Sequence, residues 1–285
     1  MDPIEHRARL GEIELAYFEW PGAPGNTEPP LMFAHATGFH ARVWDAVIEH
    51  FPDRRVLSLD LHGHGRSTGE PVTHWRVIID EVLELLDQLD LQGAVGIGHS
   101  MGAHVLTQVA SENHTAFAQL VLFDPVILDP VFYQAREAVG EPHPTARRKR
   151  DFASAEEMIA RFESRDPYNI FERRVFEDYC RFGLLPAANG AGMELACAPE
   201  MEASVYSASR SNAGIHESAR KVDIPVTVVR AKALEQMDFK SSPTWPKLAE
   251  IMPQGTDLYR PDMTHFHPFQ DPPDAARIIA EAIAG

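Results

Sequence analysis

The stretch GIGHSMGAH, residues 96–104, is where residue types and spacing in this chain point most directly to chemistry. Three chemistries use a glycine-rich turn of this kind, and they differ in what each glycine must do. A dinucleotide-binding turn needs G-x-G-x-x-G, but counted from Gly96 the last glycine position is Met101, whose side chain would crowd a pyrophosphate and the helix behind it. A P-loop needs Lys followed by Ser or Thr after its last glycine, and that pair is absent. The third pattern, G-x-S-x-G, is met in full by Gly98, His99, Ser100, Met101 and Gly102. In it the serine sits on a strained turn between a strand and a helix, and the residues two before and two after it must be small because the backbone folds tightly past them. A serine hydroxyl is a weak nucleophile at neutral pH and needs a base within hydrogen-bond reach. The chain has 14 histidines, so residue type alone does not choose that base.

Such a serine has to be carried by a strand on one side and a helix on the other. The short apolar runs LMFA (31–34), VLSL (56–59), AVGI (94–97), LVLF (120–123) and VTVV (226–229) are bounded by glycine, proline or polar residues. Continuously apolar runs suit parallel strands covered on both faces. Between them, Trp75, Ile78, Ile79, Val82, Leu85, Leu86 and Leu89 recur at helical spacing, predicting an amphipathic helix that ends near Gly93. A closing helix is predicted after Pro272 and Pro273, with Ala275, Ile278, Ile279 and Ala282 on one face. The opening segment reads as a hairpin turning at Gly11. From about Val126 to Lys221 no parallel strand is evident, and the text is rich in charged and aromatic helical material. A structureless loop of that length is implausible, so residues 126–221 are expected to form a helical cap, with 1–125 and 222–285 as the core domain. The overall expectation is an α/β class chain with a mostly parallel, doubly wound sheet.

Composition narrows the function classes. With 285 residues, 44% hydrophobic and 24% charged, the chain is long enough for a sizeable core and typical of a globular protein. A formal net charge of -16 argues against binding nucleic acid or lying on an anionic membrane, both of which need a basic face. Cys180 and Cys197 are too few for a disulfide framework and lack metal-ligand spacing. No run approaches membrane-spanning length and the first residues lack a signal-peptide core, so the expected location is cytoplasmic, as a monomer or homodimer. Asp60, His62, His64 and Arg66 include an H-x-H pair, but no further ligand follows at metal-site spacing, and a structural turn is expected there. No metal and no cofactor are expected.

With the serine turn in this context, the chain resembles the α/β-hydrolase fold superfamily, in its serine-nucleophile esterase and lipase-like branch. FAHATGFHARVW, after an early strand, resembles the family's oxyanion segment, with Ala36 where glycine is usual. LDLHGHGRST resembles its Asp-x-Arg-Gly-x-Gly-x-Ser turn, with His62 where arginine is common, and MTHFHPFQDP resembles the loop carrying its catalytic histidine. The resemblance covers the core from about residue 7 to 285. It implies that Ser100 is the nucleophile and that His265 is the base, with His267 as the competing candidate two residues on. For the acid it leaves two strand ends. Asp124 follows four apolar residues and precedes Pro125, a rigid placement that suits an orienting carboxylate, while Glu235 and Asp238 follow the next strand; Asp124 is preferred, with Asp238 second. The implied oxyanion donors are the backbone N–H groups of Thr37 and Met101. His35, Phe39 and Trp44 are expected at the substrate site, with Phe132, Tyr133 and Tyr168 from the cap as further candidates, whereas His99 and His104 are expected to pack around the turn.

The resemblance implies a carboxylesterase-like serine hydrolase that cleaves small to medium carboxylic esters through an acyl-enzyme on Ser100. Fold alone does not decide this. A carbon-carbon bond hydrolase, or a cofactor-free perhydrolase or haloperoxidase, uses the same three residues, and a ligand receptor with vestigial hydrolysis retains the same scaffold.

Overall fold

The computed structural model describes residues 2–134, 143–188, 190–232 and 240–284. In chain order the strands are β1 (Ile4–Leu10), β2 (Ile13–Trp20), β3 (Leu31–Ala34), β4 (Val56–Leu59), β5 (Ala94–His99), β6 (Phe117–Phe123), β7 (Asp151–Phe152), β8 (Leu184–Pro186), β9 (Met193–Leu195), β10 (Val226–Arg230) and β11 (Gly255–Tyr259). The main sheet runs β1-β2-β4-β3-β5-β6-β10-β11. The β1–β2 hairpin, turning at Gly11 with φ of 60°, pairs antiparallel within itself and onto β4, and the remaining pairs are parallel.

Period-two alternation within the apolar runs supplies both faces of this sheet. On β6, Leu120 and Leu122 join the core under the helices Arg76–Gln88 and Met101–Glu112, while Val121 and Phe123 point to the opposite core with Trp44, Phe269 and Ile278. The helix Arg76–Gln88 buries Ile78, Ile79, Val82, Leu85 and Leu86 as its spacing predicts. It ends earlier than the glycine signal indicates. Asp90 takes a left-handed φ of 46° just past the helix, and Leu91 N–H donates to the Leu86 carbonyl, so an aspartate does the work expected of Gly93. The closing helix Pro272–Ala284 begins at its prolines and buries Ala275, Ala276, Ile278 and Ile279.

Between β6 and β10 the structure is not wholly helical. The helices Ala155–Phe162, Arg173–Phe182 and Pro199–Ser207 are accompanied by a small antiparallel sheet in the order β7-β9-β8. Its strands are two or three residues long, too short for alternation to be visible in the sequence. This segment reaches the rest of the chain through defined contacts. Tyr179 O meets His40 Nε2 at 3.2 Å, Trp75 Nε1 donates to Val205 O at 2.8 Å, and Ser204 Oγ accepts from Val72 N–H at 2.9 Å. Among the described residues no helix is long and apolar enough to cross a membrane.

Candidate active site

Ser100 stands between β5 and the helix Met101–Glu112, with φ of 56° and ψ of -115°. A non-glycine residue in this region costs on the order of 1–3 kcal/mol and persists only where its surroundings hold it. Here Ser100 N–H donates to Phe123 O at 3.0 Å, and Ser100 O accepts from His104 N–H at 3.2 Å and Val126 N–H at 3.1 Å. The flanking glycines are required by space. A Cβ on Gly98 would lie 2.5 Å from Ala103 Cα, and one on Gly102 would lie 2.3 Å from Ala34 O. That close approach brings the start of the helix against the end of β3, with the helix N-terminus and its positive dipole end directed at the site.

His265 and Asp124 come to Ser100 from two other loops. Asp124, at the end of β6, also has a left-handed φ of 48°, and its N–H donates to Val229 O at 2.8 Å on β10. Its Oδ2 lies 2.7 Å from His265 Nδ1, and His265 Nε2 lies 3.1 Å from Ser100 Oγ. Asp124 is 2% exposed, and its Oδ1 receives the Ser242 hydroxyl and Ala231 N–H at 3.3 Å, with the Thr244 hydroxyl at 3.2 Å sharing its one proton with Pro125 O at 2.8 Å. The histidine loop is fixed by its backbone. His265 N–H donates to Lys240 O at 2.8 Å, and His265 O accepts from His99 Nε2 at 2.8 Å. His267 is elsewhere, its Nε2 2.8 Å from Asp274 Oδ2 and its ring against Phe123. Glu235 and Asp238 lie outside the described residues.

The loop after β3 is held by two histidines that must be neutral. His35 Nδ1 donates to Ala36 O at 2.8 Å, so its Nε2 is free to accept Leu61 N–H at 2.9 Å. His64 Nδ1 likewise donates to His62 O at 2.7 Å while its Nε2 accepts Gly38 N–H at 3.0 Å. Burial pushes His64 down to about 4 and His35 well below the ordinary imidazole range, which keeps both acceptors unprotonated. The turn they lean on is organised by buried Asp60, which accepts from Ala41 N–H at 2.7 Å and Arg66 N–H at 2.8 Å. Ala36 needs no glycine, because the left-handed residue of this loop is Gly38, with φ of 79°. The Thr37 hydroxyl lies 3.6 Å from Met101 Sδ, so the two residues expected to supply oxyanion donors sit side by side.

A cavity of about 150 Å³ opens on Ser100 and His265 and is lined by Ala36, Thr37, Phe39, Val126, Tyr206, Ser241, Pro243 and Phe266. Phe39 lines this cavity. His35 and Trp44, expected beside it, do not. His35 is fully buried and spends its ring nitrogens on backbone groups, and Trp44 is 0% exposed among Phe33, Phe123 and Phe269, in the core. Both are large residues near a motif, and the sequence has no way to show which face of the loop they occupy. Phe132 is exposed, Tyr133 turns its hydroxyl to Leu128 N–H, and Tyr168 lines an adjoining chamber. His99 does more than fill space. Its ring lies against that of His265 at 4.9 Å between centroids, it holds the His265 carbonyl, and burial followed by the neighbouring His265 keeps it far below the usual imidazole range. Ser242 and Thr244 carry no sequence signal for their place at Asp124, being 118 and 120 residues away along the chain.

Comparison with known proteins places this chain in a family. Residues 31–278 match the alpha/beta hydrolase family. A protein named as a non-heme haloperoxidase from Mycobacterium phage D29 is 33% identical over 101 residues, covering 34% of this chain and 36% of that protein. Lipase LipV of Mycobacterium tuberculosis is 31% identical over 97 residues, covering 34% of this chain and 37% of that lipase. These matches thus span little more than a third of either relative. In three dimensions the crystal structure of E-2-(acetamidomethylene)succinate hydrolase superposes with a TM-score of 0.77 over 99% of this chain and 100% of that one, at 18% identity, a likeness of fold alone. On the extent of that family match and the agreement of fold, the chain belongs to the alpha/beta hydrolase family.

Proposed function

We propose that this hydrolase is a serine esterase acting on small to medium carboxylic esters through an acyl-enzyme on Ser100. The observation that carries the proposal is the hydrogen-bonded series from Asp124 to His265 at 2.7 Å and from His265 to Ser100 at 3.1 Å. In this reading Asp124 keeps the proton on His265 Nδ1, so that Nε2 accepts the Ser100 proton as Oγ attacks the ester carbon. His265 then returns the proton to the departing alcohol, and water repeats the cycle to release the acid. Thr37 and Met101 N–H stabilise the oxyanion, Phe39 and Phe266 form the apolar wall, and residues 126–221 serve as the cap. The names of the relatives include haloperoxidase as well as lipase, so perhydrolysis by the same three residues is the second reading.

The test is hydrolysis of p-nitrophenyl esters from acetate to decanoate by wild type and Ser100→Ala, with intact mass after a fluorophosphonate. Turnover abolished in the variant, with a phosphonyl adduct on Ser100, is the expected outcome. Absence of both turnover and adduct refutes the proposal; an adduct without ester turnover moves the reading to another substrate of the same nucleophile.

A further inference from the structure

The cavity over Ser100 continues into a second chamber of about 260 Å³, the two sharing Thr37, Phe39, Tyr206 and Phe266. Part of the wall of this chamber is a tightly paired polar cluster. Arg148 Nη1 binds Glu202, and Arg148 Nη2 donates to the Tyr179 hydroxyl at 2.9 Å and the Tyr168 hydroxyl at 3.3 Å. The two hydroxyls are 3.2 Å apart. Both accept from Arg148 and only one of them donates to the other, which leaves one phenolic hydrogen to be given to an oxygen outside this triangle. Burial raises both phenols above their ordinary range, so both keep their protons.

Among the described residues, the charged groups that line the chamber are paired. Glu202 offsets Arg148, and Lys240 offsets Asp166 at 3.0 Å. A carboxylate entering here would add an uncompensated buried charge, on a chain whose net charge of -16 already repels anions. A neutral oxygen acceptor takes the spare hydroxyl proton without that cost. We infer that the chamber is a subsite for an uncharged hydrogen-bond acceptor, such as a ketone, amide or ether oxygen, on the part of the substrate remote from the cleaved bond. Tyr168, Tyr179 and Arg148 are then the residues that set specificity. This rests on the reading of Ser100 as the nucleophile and names the substrate class that reading leaves open.

The test uses matched p-nitrophenyl esters of hexanoate, 5-oxohexanoate and the glutarate hemiester, with the same alkyl, ketone and carboxylate ends placed on the alcohol of a parallel acetate series. One neutral hydrogen bond predicts kcat/KM for the ketone about fivefold to tenfold above the alkyl ester in one of the two series, through KM, with the carboxylate below both. In the Tyr168→Phe/Tyr179→Phe variant the ketone-to-alkyl ratio falls to about one, since only a direct contact makes one substrate lose more than the other. If that variant does not fold, the wild-type ratios still decide. Equal ketone and alkyl values in both series, a carboxylate preference in either, or a ratio unchanged in the double variant overturns the inference while leaving Ser100 standing. Absence of turnover with every ester overturns the esterase reading and this inference with it, and Ser100 itself falls only if the phosphonyl adduct is absent too.

Discussion

Asp124→Asn is the perturbation whose effect can be worked from the structure in most detail. Asp124 Oδ1 receives the Ser242 hydroxyl and Ala231 N–H, with the Thr244 hydroxyl shared between it and Pro125 O. In asparagine the amide oxygen is held at that position, because an NH2 group there would face Ala231 N–H. The amide nitrogen is therefore turned toward His265 Nδ1, where the carboxylate Oδ2 now lies at 2.7 Å. His265 must then present a lone pair at Nδ1, which moves its proton to Nε2, the nitrogen 3.1 Å from Ser100 Oγ. That nitrogen no longer accepts the serine proton. A tautomer change of this kind lowers kcat by about 10,000-fold, equivalent to roughly 5 kcal/mol of activation free energy. The assay is kcat on the best p-nitrophenyl ester together with the rate of phosphonylation of Ser100, and both should fall in parallel. The shape of the site is conserved, so the melting temperature should move by only a few degrees. A loss smaller than about tenfold, with an unchanged melting temperature, would refute the assignment of Asp124 as the orienting acid.

Two further predictions test the scaffold. Gly98→Ala sets a Cβ 2.5 Å from Ala103 Cα and 2.6 Å from Ala103 N, both backbone atoms that move only if the helix moves; overpacking of this kind costs about 3 kcal/mol, read as a fall in melting temperature of roughly 5–10 °C, and a fall under about 2 °C would contradict the packing argument. For pH, His64 is about 4 in the folded chain against an ordinary value of 6.5. Between these values the unfolded chain holds a proton at His64 that the folded chain does not, so this contribution to stability is complete above pH 6.5 and is lost as pH falls toward 4, by up to about 3 kcal/mol. Asp60, raised by burial from 3.8 to about 6, acts in the opposite sense, its share lost as pH rises through about 6. Comparing wild type with His64→Gln, which keeps an acceptor for Gly38 N–H but takes no proton, isolates the histidine: denaturant unfolding from pH 4 to 7 should show a shallower acid loss in the variant, and identical pH profiles would show that His64 is not held neutral.

What the amino-acid sequence determined by itself was local and periodic. The apolar runs predicted the sheet strands because a parallel strand buried on both faces has no polar position to spare. Gly98 and Gly102 were legible because the turn leaves no room for a Cβ, a constraint that operates over a few residues. The hairpin at Gly11 and the proline start of the last helix were legible because a left-handed φ and proline's fixed φ are local constraints too. Trp44 and His35 show the limit of such reading, since both lie beside the right motif and yet face the core and the backbone. The small sheet β7-β9-β8 escaped because strands of two or three residues have no period to read. Only the tertiary structure decided that Asp124 meets His265, that Ser242 and Thr244 orient that carboxylate, and that Tyr168 and Tyr179 share one arginine beside the cavity. These pairings join loops far apart in the chain, and hydrogen bonding depends on distances of about 3 Å that sheet register and helix packing set.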